Sequence, residues 1–381
     1  MTLPKKSLIG ASLASTGVAA IFVLATGLAS APPARASEPI TSAVLREWML
    51  KYSNWGRWGK DDQLGTVNFI TAETRKAAAD LVKLGLSVSM ARRPTKIKFD
   101  PAQPFDPAYP NLAPKPITPL DVDDPNPFFF WANPPAYTSD RWNFAMAGII
   151  HSHLDSLCHI ASPASTSPAI YPERMVYNGR PLATNNTADG CRANGIENVA
   201  NAGIFTRGVL YDATALGYLN EGNNPWLAPG TKVTLTDILM LESRTGVRAG
   251  PGDVILLYTG HFKRRAAMGP WASTCTGTAT PPSCGEPGWW YDNIPFFYDR
   301  QIAQFGSDAW NDVTPAYLDD YTGLPYHGFQ ASMGIAHYDN LDLEALADVA
   351  RRLNRYEFLF TTAPFPVVGG ITSPVNPIGV F

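Results

Sequence analysis

Apolar residues recur along this chain with three different spacings. A nearly continuous apolar run over residues 8–28 follows Lys5 and Lys6 and precedes Ala34, Arg35 and Ala36. A basic start, an apolar stretch and small residues at the two positions a signal peptidase reads predict a cleaved export signal over residues 1–36. The run approaches the ~20 residues that span a bilayer, but Ser12, Ser15, Gly17 and Gly27 dilute it, which favours cleavage over an anchor. Helical spacing comes next: Val44, Leu45, Trp48 and Met49 predict a helix over residues 40–52. Thr71 reads as the N-cap of a helix running to Leu84, with Gly85 suited to its left-handed C-terminal position. Two-residue alternation predicts strands over residues 86–90 and 142–160, and apolar runs at 208–212, 253–258 and 358–361 predict buried strands. Helices near 236–245 and 343–353 interleave with them, so the class is α/β, with residues 37–381 as one domain. Residues 94–135 are dense in proline and end on Phe128, Phe129, Phe130 and Trp131, which predicts a long loop packed near the site as a lid.

Composition narrows the function classes. With 381 residues, 45% hydrophobic and 17% charged, the chain can build a sizeable core and is not disordered as a whole. A formal net charge of −3, with Lys and Arg scattered singly, provides no basic stripe and argues against nucleic acid as a partner. Past the signal no segment is apolar enough to span a membrane. Export permits disulfides, and Cys275 and Cys284 flank a Thr/Pro/Gly-rich loop that a bridge would close. Cys158 and Cys191 remain; Cys158 suits either a bridge or a small buried thiol.

The chemistry concentrates around Cys158. Three of the six histidines, His151, His153 and His159, fall within nine residues beside Asp155. On an extended segment, positions 151, 153 and 155 project from one face. Two imidazoles and a carboxylate match what Zn²⁺ or Mn²⁺ takes, with positions left for water and substrate. A single histidine there would more often be satisfied by neighbouring backbone; three with an aspartate at alternating spacing favour a metal. His159, four residues past Asp155, suits a general acid/base standing beside the ion. Farther on, His327 and Asp339 lie twelve apart, with His337 two residues before Asp339.

These residues make the chain resemble the metal-dependent cyclase family, which includes bacterial kynurenine formamidases and isatin hydrolase, over residues 54–381. The segment His153-Leu154-Asp155-Ser156-Leu157-Cys158-His159 matches the family's His-x-Asp-x-x-x-His, and residues 55–65, 206–212, 250–260, 306–308 and 363–374 match further motifs in order. The resemblance implies a swivelling β/β/α fold, with a mixed sheet or small β-barrel core surrounded by helices, assembled as a homodimer or homotetramer. It implies one or two divalent ions, Zn²⁺ or Mn²⁺, held by His151, His153, Asp155, His327 and Asp339, with His159 moving the proton. The implied reaction is hydrolysis of an amide, formamide, lactam or lactone carbonyl in an aromatic or cyclic small molecule. Trp142, Trp289 and Trp290 would serve either as an apolar wall for such a substrate or as ordinary core. Two positions depart from the pattern. Asp339 replaces a glutamate, and the family's first ligand position falls on Ile149, so its role passes to His151. His337, on the face of Asp339, is a second candidate, although a neighbouring or surface place is the more ordinary one for it. A metal-assisted cyclase or dehydratase, or a non-catalytic metal- or ligand-binding protein, are the alternatives.

Overall fold

Short apolar runs separated by amphipathic helices pair into one mixed sheet of nine strands. The computed structural model describes residues 39–93, 128–133, 137–142, 151–162, 173–318 and 324–381; the predicted signal and most of the 94–135 segment lie outside them. In chain order the strands are β1 (Ser87–Ser89), β2 (His153–Asp155), β3 (Ile204–Asp212), β4 (Val254–Tyr258), β5 (Gln304–Ser307), β6 (His337–Asp339), β7 (Glu357–Thr362), β8 (Thr372–Pro374) and β9 (Ile378–Val380). Their order across the sheet is β1-β9-β7-β3-β4-β5-β6-β2-β8. The central strands β3 to β6 run parallel, while β2 pairs antiparallel with β6 on one side and β8 on the other.

Helices α1 (Ser42–Lys51), α2 (Ala72–Ala79), α3 (Leu235–Thr245), α4 (His261–Met268), α5 (Asn293–Asp299), α6 (Pro325–Met333) and α7 (Glu344–Leu353) connect and cover the strands. Thr71 caps α2 and Thr234 caps α3, each in a reciprocal capping box. Among the described residues no helix is long and apolar enough to cross a membrane.

Two core layers follow from strand alternation. Along β4, Ile255 and Leu257 join one layer with Val209, Tyr211, Phe305 and Trp289, while Val254, Leu256 and Tyr258 join the other with Leu154, Tyr338 and Phe358. Covering both faces explains why these parallel strands read as unbroken apolar runs. Trp289 is fully buried in the first layer and Trp290 packs at its edge, so Trp289 is core and not an exposed wall.

Three sequence expectations change. Residues 128–133 pair antiparallel with 137–142, so 128–133 of the proline-rich segment are strand and not loop. Residues 143–150 of the expected strand over 142–160 lie outside the described set; among the described residues Trp142 ends the 137–142 strand and β2 covers His153–Asp155, after which the chain turns. Helix α2 stops at Ala79: Leu81 and Val82 donate to Ala78 and Ala79 in tighter turns, and Leu84 N–H turns to the Phe381 carbonyl. All four cysteines are bridged, Cys158 to Cys191 and Cys275 to Cys284, which settles the state of Cys158.

Candidate metal centre

The centre is assembled on one face of the sheet by cross-strand register. In the β2/β6 pair, Asp339 lies opposite His153 and Tyr338 opposite Leu154. Leu154 and Tyr338 point into the second core layer, so His153, Asp155, His337 and Asp339 all project to the opposite face. Helix α6 lies over that face, with Tyr326, Phe329 and Met333 in the first layer, and delivers His327 from above.

The placing of α6 depends on residues at the other end of the chain. Its last four carbonyls have no partners inside the helix. Gln330 O accepts from Gly334 N–H and Ser332 O from Asn54 N–H; Ala331 O accepts from Trp55 Nε1 and Met333 O from the Asn54 amide. The segment beginning at Asn54 is therefore the C-terminal cap of the helix that carries His327. Gly334 then takes a left-handed φ of 69°, which stops α6 three residues before β6.

The polar atoms at the centre lie too close together for unrelated side chains. Asp155, His327, His337 and Asp339 each offer a ligand atom, all within 4.8 Å of one another. His337 Nε2 is 3.3 Å from Asp155 Oδ2, and His327 Nε2 is 3.3 Å from Asp339 Oδ2. His153 Nε2 comes within 3.6 Å of Asp155 Oδ1 and 3.8 Å of Asp339 Oδ2. For two of these rings the outer nitrogen is already bonded: His153 Nδ1 to the His151 carbonyl at 2.7 Å, and His327 Nδ1 to Asp312 at 2.6 Å. A nitrogen facing a carbonyl or carboxylate must carry a proton, so in both rings Nε2, which faces the carboxylates, is the nitrogen that would meet a cation.

Charge follows geometry. Burial pushes the Asp155 carboxyl up, but its close contacts with His159, His337 and His153 outweigh it and hold the group well below the usual carboxylate range. Asp339 is lowered in the same way, burial being overcome by His337 and His327. Burial opposes protonation of His327, yet Asp312 and Asp339 raise its pKa well above the ordinary value.

A divalent cation fits this donor set. Both oxygens of Asp155 are buried without a hydrogen bond, as are both ring nitrogens of His337. A buried ionised carboxylate with no donor costs several kcal/mol unless a cation meets it. Two carboxylates and imidazole nitrogens presented at close range are what Zn²⁺ and Mn²⁺ take.

The sequence-level candidates divide accordingly. His153, Asp155, His327 and Asp339 come together. His337, for which a neighbouring place was the ordinary reading, is completely buried in the cluster. His151 is not among the four clustered ligands, because β2 begins only at His153; Ser152, tied to Asn340 O and Arg92 N–H, breaks the alternation. Its carbonyl orients His153 instead, and burial, with Arg92 and His153 nearby, holds the His151 ring down to about 4.

His159 reaches the centre by a turn and not by alternation. Its N–H bonds back to Ser156 O, which returns the ring to within 3.6 Å of Asp155 Oδ2. Its side chain is 19% exposed against 5% or less for the other five, so it is the most exposed of the six. Burial lowers its pKa against the pull of Asp155, favouring the neutral, proton-accepting ring near pH 7. The neighbouring bridge anchors this turn: the Cys158 carbonyl accepts from Asn186, whose strand pairs with Cys191. Asn311 and Asp312, which hold Asp339 and His327, had no signal in the sequence, since neither stands at a ligand spacing.

With the geometry established, comparison shows what the chain is similar to. The sequence model of the Cyclase family, described as "Putative cyclase", matches residues 86–312. A crystal structure described as a novel cyclase is 26% identical with a TM-score of 0.63, covering 87% of this chain and 99% of its own. Isatin hydrolase A from Ralstonia solanacearum is 14% identical with a TM-score of 0.47, covering 81% and 95%. Isatin hydrolase A from Labrenzia aggregata is 16% identical with a TM-score of 0.46, covering 80% and 96%. No curated protein matches the chain.

Proposed function

Because the chain belongs to the Cyclase family, we propose that it is an exported metal-dependent hydrolase of amide, formamide, lactam or lactone carbonyls in small aromatic or cyclic molecules. The observation that carries this reading is Asp155, a fully buried carboxylate with two unbonded oxygens, ringed by imidazole nitrogens. Zn²⁺ or Mn²⁺, one ion or two, would be held by Asp155, Asp339, His327 and His337, with His153 beside them. When bound, such an ion supplies Lewis acidity towards a carbonyl and lowers the pKa of water towards about 7.

The chain's own groups do the rest. His159, neutral and at the solvent edge, accepts the proton of the attacking water on Nε2 and returns it to the leaving nitrogen or oxygen. Asp155, 3.6 Å away, steadies the imidazolium that forms in between. Export through residues 1–36 is supported by the two disulfides, which persist in oxidising compartments.

The test is elemental analysis of the purified protein, followed by hydrolysis of N-formylkynurenine, isatin and simple lactones before and after chelation. Bound Zn²⁺ or Mn²⁺ and activity lost on chelation are expected; full activity in the chelated protein would overturn the mechanism. Product mass separates hydrolysis, which adds a water, from cyclisation, which does not. Tight metal binding without turnover on any of these carbonyls would make the protein a binder. Export is tested by sequencing the mature N-terminus, expected at Ser37.

A further inference from the structure

Two adjacent residues outside the ligand set each touch one ligand. Asp312 is completely buried on the loop that leaves β5. Its Oδ2 lies 2.6 Å from His327 Nδ1, and its Oδ1 accepts from Tyr326 N–H at 2.7 Å. Helix α6 has no side-chain cap at Leu324, so this one carboxylate serves both as a remote N-cap and as the ring's partner. Asn311 is also completely buried, with a left-handed φ of 67°, a conformation asparagine tolerates better than most side chains. Both its amide protons are used, one on Tyr338 O at 2.8 Å and one on Asp339 Oδ1, while Ser307 Oγ accepts from its backbone N–H at 3.0 Å.

We infer that Asn311 and Asp312 are positioning residues, Asp312 setting the tautomer and ring plane of His327 and Asn311 setting the rotamer of Asp339. An ionised carboxylate only accepts, so His327 Nδ1 must donate to Asp312, and Nε2, 3.3 Å from Asp339 Oδ2, is the nitrogen left to meet a cation. With Oδ1 of Asp339 held by Asn311, Oδ2 is the oxygen turned towards His327 and His153. The loop itself is cross-tied to the exit of β6, since Asn340 N–H donates to Ala309 O and Leu341 N–H to Ser307 O. One rigid turn therefore orients ligands that arrive on two different elements. This inference rests on the metal-site reading above.

Asp312→Asn separates orientation from mere support. The amide keeps an oxygen to accept the Tyr326 N–H, but its NH₂ replaces the Oδ2 that accepts from His327 N–H at 3.3 Å, faces His327 Nδ1 and draws the ring proton to Nε2, where it blocks ligation. Competition against a chromophoric chelator should show Zn²⁺ affinity falling about 10–100-fold. Asn311→Ala should weaken Zn²⁺ binding about tenfold, the lower end of that range. A variant pair that melts early yet binds Zn²⁺ as tightly as the wild type would reduce the two residues to structural support and overturn the inference. Independently of how the variants fold, long-range ¹H–¹⁵N spectra of the zinc-loaded wild type should place the His327 ring proton on Nδ1; a proton on Nε2 overturns the assignment. A wild type that binds no Zn²⁺ or Mn²⁺ would bring down the metal reading along with it, whereas equal binding by wild type and Asp312→Asn brings down this inference alone.

Discussion

Removing the Cys158–Cys191 bridge, and separately the Cys275–Cys284 bridge, distinguishes what each holds. The first joins residues 33 apart and the second residues 9 apart. In the chain-entropy treatment, closing loops of those lengths removes enough unfolded-state entropy to stabilise by about 3.7 and about 2.6 kcal/mol at 25 °C. The first bridge also has a local consequence, because Cys158 precedes His159 and its carbonyl is tied to Asn186 at 2.9 Å. Urea unfolding followed by linear extrapolation should therefore show Cys158→Ala/Cys191→Ala losing about 3–4 kcal/mol and Cys275→Ala/Cys284→Ala about 2–3 kcal/mol. Only the first pair should lower the hydrolysis rate under native conditions, since only that turn carries a group at the centre. An equal or larger stability loss from the short loop would refute the entropic ordering. Unchanged hydrolysis in the Cys158/Cys191 variant would refute the claim that the bridge anchors His159.

Zn²⁺ added at about 100 times its Kd should stabilise the protein by about 2.7 kcal/mol; scanning calorimetry should show that response missing in Asp155→Asn. Burial pushes the Asp292 carboxyl up to about 6 from 3.8, so the protonated form favours folding. That contribution is complete below pH 3.8 and is lost as pH rises through about 6. Asp292→Asn, which keeps an acceptor for Leu235 N–H, should therefore gain on the wild type by about 1–2 kcal/mol between pH 4 and pH 7; a stability difference that does not change with pH would contradict this. Gly65 has a φ of 57°, and a methyl group on it would overlap the Gly334 carbonyl, so Gly65→Ala should cost more than about 3 kcal/mol, read as a lower urea midpoint or lost soluble yield.

Much of the fold was legible because local chemistry and global packing agree where they were read. Thr71 as a cap, the apolar run of β4 and the helix expected near 343–353 each carry their own signal, and the structure uses each as the signal predicts. The pairing of residues 128–133 with 137–142 was not legible, because consecutive aromatics and neighbouring prolines mask the alternation that marks a strand. The Asn54–Trp55 cap on α6 was beyond reach for another reason. It is a contact across more than 270 residues in which the acceptors are main-chain carbonyls, and these leave no trace in side-chain spacing.

The site was partly legible for a related reason: two-residue spacing predicts a shared face only while the chain stays extended. That condition holds from His153 to Asp155 and from His337 to Asp339, and it fails at His151 and at His159. Outside the strand, position is decided by turns, so His159 regains the centre through the Ser156 turn while His151 contributes its carbonyl. What brings the two legible pairs together is the register of β2 on β6, with Asp339 opposite His153. A slip of one residue would turn His153 and Asp155 into the Leu256 and Phe358 core layer and present Leu154 to the cluster. The same slip would bury an unpaired carboxylate in an apolar layer, at a cost of several kcal/mol. The hydrophobic pattern thus enforces the register that builds the centre, and His337 takes its place there because it shares a strand face with Asp339.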